Sequence, residues 1–137
     1  MSQEVSWSIT GLVVPGEQRG RLIGFPTANV QVPVGSPLPQ DGIYAGFART
    51  TQGPALCRAA AVSVGTNPTF DGLSRTVEAH LLDFQGDLYG RQLHVEARYR
   101  LRGMSRFSDL QALVDAIAAD VAATRALLDE KLPLVVR

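Results

Sequence analysis

The residues best suited to chemistry fall in two short segments. In the first, Gly16-Glu-Gln-Arg-Gly20-Arg-Leu-Ile-Gly24-Phe-Pro-Thr-Ala-Asn29, glycines recur every fourth residue ahead of a Pro-Thr-Ala-Asn run. Glycines let backbone N–H groups approach a phosphate closely, and Arg19 and Arg21 can supply charge. Pro26 restricts Phe25 to extended geometry, so the chain is expected to leave this loop as a strand. On such a strand Thr27 and Asn29 point the same way and present two neutral oxygens together. That pair suits Mg²⁺ when nucleotide phosphates and water complete its octahedron. By residue type alone, an ordinary Gly-rich turn leading into a strand is the commoner meaning of the pattern. In the second segment, Thr76-Val-Glu-Ala-His-Leu-Leu-Asp-Phe84, alternation sets Glu78 and His80 on the face opposite Val77, Ala79 and Leu81. Facing a cavity, Glu78 is a candidate general base for a hydroxyl; facing water, both are solvated strand residues, the commoner fate of strand carboxylates. His94 is assigned to the exposed face of its strand, and Ser63–Phe70 and Asp87–Gly90 read as compact turns by composition.

Composition limits what these groups can do. Thirteen Lys plus Arg balance thirteen Asp plus Glu, so there is no surplus positive field to hold nucleic acid or an anionic bilayer non-specifically. Twelve of the basic residues are Arg, and the one Lys is Lys131 near the C-terminus. A Walker A loop needs Gly-Lys-Ser/Thr and the protein-kinase fold needs a Lys on its third strand, so any handling of ATP must use other groups. Cys57 is the one cysteine, which rules out an internal disulfide, and Cys57, His80 and His94 are too few for a structural zinc site. Met1–Thr10 has no basic run before an apolar core, and no stretch approaches the ~18 uncharged apolar residues of a membrane span. A cytoplasmic monomer, with no nucleic-acid or membrane partner, is the expectation.

The elements that must position the candidate residues follow from periodicity. The length of 137 residues, 45% hydrophobic and 19% charged, fits one domain over 1–137 with a buried core. Val5, Trp7 and Ile9 alternate with Ser6, Ser8 and Thr10 in a strand expected to end before Gly11. Leu93, Val95, Ala97, Tyr99 and Leu101 alternate with polar residues, one face buried and the other wet. Ile43–Ala48, Ala59–Val64 and Thr76–Leu82 also read as strands, and Val32–Asp41, with its prolines, as an irregular loop. Short strands at this spacing predict a small antiparallel barrel or sandwich. The period then changes: Leu110, Leu113, Val114, Ile117, Val121, Thr124 and Leu128 recur at three and four, predicting an amphipathic helix. Ser108 as N-cap with Gln111 forms a capping box, Asp109 adds first-turn negative charge, and Pro133 sets the stop. The barrel would span about 5–104 and the helix about 108–130.

Taken together, GRLIGFPTANV, DGIYA, VSVGTNPTF, TVEAHLLDF, DLYG and Leu101-Arg102 followed by Phe107 and the helix resemble the riboflavin kinase family. That family includes stand-alone enzymes and the kinase domains of bacterial bifunctional flavin enzymes, and the likeness runs from about Gly11 to the end of the helix. The order and spacing of the pieces carry it. The resemblance implies a small antiparallel Greek-key barrel packed by a long C-terminal helix, transferring the γ-phosphate of MgATP to the ribityl 5′-hydroxyl of riboflavin to give FMN and ADP. It implies Thr27 and Asn29 for Mg²⁺ and Glu78 as base. Gly16, Arg21, Gly24, Leu81, Asp83 and Tyr89 would bound the ATP site, and Arg102, Ser105 and Phe107 would close over the flavin. The loop after Arg102 reads Gly-Met-Ser-Arg, where family members often carry an acidic residue. No His-x-Gly-His nucleotidyl-transfer motif is present, so the reaction is expected to stop at FMN. The alternatives are a lapsed flavin-binding or regulatory module, and a kinase of a related flavin analogue.

Overall fold

The computed structural model describes residues 2–16, 24–33, 35–70 and 72–128. Six strands form: β1 (Gln3–Val14), β2 (Ala28–Val30), β3 (Gly42–Thr50), β4 (Cys57–Thr69), β5 (Gly72–Leu81) and β6 (Gln92–Arg102), and one helix follows, α1 (Leu110–Leu128). The strands close into an antiparallel barrel in the order β1-β2-β5-β4-β3-β6. Consecutive β3, β4 and β5 lie side by side and β6 returns next to β3, which is the Greek-key connection. Closure between β1 and β6 leaves no free sheet edge among the described residues.

Inward residues are small and branched: Val13, Val30, Val62, Val64, Val77, Ala79, Leu93, Val95 and Ala97 are nearly all fully buried. The large ring among them is Tyr44, met edge-on by Trp7 at 5.1 Å between centroids. At this end the Leu38–Asp41 segment is tied down through its carbonyls. Tyr44 donates to Gln40 O, Arg75 to Leu38 O, Pro39 O and the Asp41 carboxylate, and Arg100 to Asp41 O. The hydrogen bonds of Thr66 and Arg75, in that order, hold the Asp41 carboxyl below its usual range.

A second apolar cluster lies outside the barrel, where α1 covers Ala45, Phe47, Cys57, Ala59 and Leu82 with Leu128, flanked by Val121 and Leu127. Asp120, almost fully buried in α1, is met by the Arg102 guanidinium through two hydrogen bonds of 2.9 and 2.8 Å. A buried carboxylate is tolerable only when paired in this way.

The structure revises several local expectations. β1 does not end at Gly11 but runs through it to Val14. A Cβ at Gly11 would lie 2.1 Å from the Gln31 carbonyl oxygen, so this glycine marks a close backbone approach. Ser63–Phe70 is not a compact turn, since β4 continues to Thr69 and pairs residue by residue with β5 as far as Thr69↔Gly72; its turn-rich composition is overridden by that ladder. Nor does β6 keep one buried face. Ala97 pairs with Gly46 while Tyr99 pairs with the adjacent Ala45, so Arg98 is an extra residue and a β-bulge. Beyond it the faces exchange, and Tyr99 and Leu101 join the cluster under α1 while Leu93, Val95 and Ala97 fill the barrel. The N-cap of α1 is Asp109, whose Oδ1 accepts the Ala112 N–H at 2.7 Å, and not Ser108. Gln111 turns to Asp115 instead of closing a capping box, and Leu110 is exposed. His94 is half-buried, with Nδ1 2.7 Å from Thr10 Oγ1.

Candidate active site

β2 is three residues long and sits between β1 and β5, pairing Asn29 with Glu78, Ala28 with Ala79 and Val30 with Val77. Cross-strand partners share a face, so Asn29 and Glu78 lie together on the outer face of the barrel. Val30, Val77 and Ala79 lie on the inner face. Thr27, one residue before β2, follows the same parity, and its Oγ1 donates to Glu78 Oε1 at 2.9 Å. The expected juxtaposition of Thr27, Asn29 and Glu78 is therefore present in space, across 51 residues of sequence between Thr27 and Glu78. Gly16 lies against Asn29: a Cβ there would stand 2.7 Å from Asn29 Nδ2, so the missing side chain leaves room for that amide.

The segment leading into β2 is fastened by His80. Its Nδ1 lies 2.7 Å from Pro26 O, and its ring meets Phe25 edge-on at 5.6 Å. A cavity of about 500 Å³ opens beside Thr27, walled by Val13, Pro26, Ala28, Ala79 and Leu81 and by the Phe84–Tyr89 loop. That loop is pinned at its far end, where Tyr89 N–H donates to Asp87 Oδ1, Arg91 N–H to Leu88 O and Gly90 N–H to Val13 O. Glu78 does not line the cavity; it reaches the rim through Thr27.

Other expected site residues are distributed differently. Leu81 and Tyr89 line the cavity. Asp83 does not: it sits at φ 56°, and Arg125 of α1 engages both its carboxylate oxygens at 2.8 and 3.0 Å, which lowers its pKa. Gly24, with φ 90°, begins the described approach to Phe25, and Arg21 lies outside the described residues. Arg102 is held by Asp120, with its guanidinium 5.7 Å from the Phe107 ring centroid. Ser105 is exposed nearby in the same loop, and none of Arg102, Ser105 and Phe107 lines the cavity. Val13, Gln85 and Gly86, which complete the wall, carry no signal in the sequence. The Asp87–Gly90 composition announces a turn, and only the β1 contact shows where that turn lies.

Among the described residues no group of three or more His, Cys, Asp or Glu could hold a metal ion. What the rim offers a cation is the Thr27 hydroxyl, whose proton is committed to Glu78 and whose lone pairs remain, together with the neighbouring Asn29 amide. Two neutral oxygens make a poor all-protein cage but a fitting set for Mg²⁺ carried in on phosphates.

The family model described as riboflavin kinase (flavokinase) matches residues 3–128, and the chain belongs to that family. It is 42% identical over 120 residues to the bifunctional riboflavin kinase/FMN adenylyltransferase of Pseudomonas fluorescens, covering 87% of this chain and 37% of that protein. It is 33% identical over 114 residues to the RNA-binding riboflavin kinase RibR of Bacillus subtilis, covering 82% of this chain and 47% of the relative. The solved riboflavin kinase of Trypanosoma brucei superposes with a TM-score of 0.69 at 30% identity, over 92% of this chain and 82% of the other. The chain thus spans little more than a third of the length of the bifunctional relatives it matches. No helix among the described residues is long and apolar enough to cross a membrane.

Proposed function

We propose that the protein transfers the γ-phosphoryl group of MgATP to the 5′-hydroxyl of riboflavin, yielding FMN and ADP, as a cytoplasmic monomer whose substrates are small molecules. The observation that carries this reading is the Thr27–Glu78 hydrogen bond at the cavity rim, with Asn29 opposite Glu78 in register. The nucleotide occupies the cavity beside Leu81 and Tyr89, and its phosphates point to the rim. Thr27 and Asn29 would hold Mg²⁺ there, and the ion would neutralise charge that develops on the transferring phosphoryl group.

Glu78 acts on the acceptor. Its Oε1 is oriented by Thr27, so its second oxygen is free to accept the proton of a primary hydroxyl aligned with the γ-phosphorus. As the hydroxyl oxygen bonds to phosphorus, the bond from the γ-phosphorus to the β–γ bridging oxygen breaks, the proton passes to Glu78, and ADP leaves with the displaced electron pair. Arg102 and Phe107, stacked beside α1, are assigned to the flavin end of the site.

Incubation with riboflavin and MgATP followed by chromatography of the flavins tests the reading. FMN without FAD is expected, since these residues contain no His-x-Gly-His motif. Riboflavin binding without FMN, under varied divalent ions, would show a lapsed flavin-binding module instead.

A further inference from the structure

Pairing between β2 and β5 stops at Ala28↔Ala79. One step further along the same register Thr27 would face His80, but Pro26 has no N–H to contribute to a continuing ladder. The residues entering β2 are therefore not held by the sheet. They are held by His80, which takes Pro26 O with Nδ1 at 2.7 Å and meets the edge of the Phe25 ring. A carbonyl oxygen only accepts, so Nδ1 carries the proton and donates. Thr27 is then fixed on one side by the ladder at Ala28 and on the other by this contact, and its hydroxyl reaches Glu78. The same Pro26 forms part of the cavity wall.

We propose that His80 is a positioning residue, whose Nδ1–H clamps the Phe25–Pro26 entry to β2 and so sets the Thr27 hydroxyl at the nucleotide-metal end of the site. It touches neither substrate; it acts through Pro26 and Thr27. The proposal rests on the phosphotransferase reading for its meaning, but it can be read out by nucleotide binding alone. Losing a partner that orients a ligand side chain typically costs 10–100-fold in metal affinity or activity. The effect should therefore appear on the MgATP side and not on the flavin side.

The variants separate hydrogen bond from ring. His80→Phe keeps the aromatic edge contact and removes the donor. His80→Asn places an amide N–H where Nδ1 stood, and His80→Gln carries its amide out toward the Nε2 position. Each full-length protein is titrated with MgADP by calorimetry, melted, and assayed against MgATP and riboflavin. His80→Phe and His80→Gln should weaken MgADP binding and raise KM for MgATP by about tenfold, with KM for riboflavin nearly unchanged, and His80→Asn should recover most of the loss. The proposal is overturned if His80→Asn is no better than His80→Phe, if MgADP affinity is unaltered in His80→Phe, or if both KM values rise together with a lowered melting temperature. A wild-type protein that binds MgADP yet forms no FMN would overturn the flavokinase reading while leaving the His80 comparison intact in the calorimetry.

Discussion

Glu78 has two carboxylate oxygens and Thr27 occupies one of them. Replacing Glu78 with Gln preserves shape but removes the basic oxygen, so kcat should fall by about 10²–10⁴-fold, the usual worth of a general base, with riboflavin affinity changed far less. Glu96→Gln is the control: Glu96 lies on β6, paired with exposed Arg98, and stopped-flow or steady-state rates there should match wild type. Equal small effects at both positions would make Glu78 an ordinary solvated strand residue. Gly16 offers a separate probe of the metal pair, because Gly16→Ala puts a Cβ against the Asn29 amide. That variant should raise the Mg²⁺ concentration needed for half-maximal rate while leaving the melting temperature nearly unchanged. The trio was legible in the sequence because alternation puts Thr27 and Asn29 on one face and Glu78 on one face. That the two faces coincide depends on a register between strands far apart in sequence, which local pattern does not encode. Asp83, assigned to the nucleotide by the family resemblance alone, sits in an αL turn and pairs with Arg125, a placement no local pattern announces.

At the scale of elements, the start of α1 separates two readings by a single residue. Asp109 Oδ1 caps the Ala112 N–H, so Asp109→Ala should cost about 1 kcal/mol of stability in urea titrations, the common value of an N-cap. Ser108→Ala, at the position the capping-box pattern favours, should cost almost nothing; the opposite order would return the cap to Ser108. Ser-Asp in tandem supplies two competent caps, and the helix starts after the second, at Leu110. Alternation marks the strand interiors where one face is buried, whereas β3 is buried on both faces and is marked by its apolar run and its flanking turn residues. The failures lie where tertiary contact overrides a local signal. Gly11 and Ser63–Phe70 read as punctuation, yet the first accommodates the Gln31 carbonyl and the second extends a hairpin. The bulge at Arg98 leaves the hydrophobic alternation of β6 intact in sequence while moving Tyr99 and Leu101 from the barrel interior to the helix side.

At the scale of the whole molecule, the barrel exists only if β6 closes it between β1 and β3, and His94 stands in that seam, opposite Thr10 on one side and Arg49 on the other. Desolvation comes first in pulling its pKa below the ordinary 6.5, the positive charge of Arg49 adds to it, and Glu96 opposes both. Unfolding releases His94 from this environment, so between its folded pKa and about 6.5 the unfolded chain binds more protons than the folded one. Stability contributed by this residue is therefore complete above 6.5 and declines as the pH falls toward the folded value. Urea denaturation from pH 7 down to pH 5 should show that decline, and His94→Asn, whose amide takes the Nδ1 position and keeps a partner for Thr10 without a titrating ring, should flatten it. Parallel profiles for the two proteins would mean that His94 titrates alike folded and unfolded, and that the acid sensitivity of barrel closure arises elsewhere. The distinction matters for activity measurements as well, because acid that loosens the seam lowers the rate by unfolding the barrel. A loss of rate on acidification that follows the melting curve belongs to the seam, and one that persists in His94→Asn arises outside it.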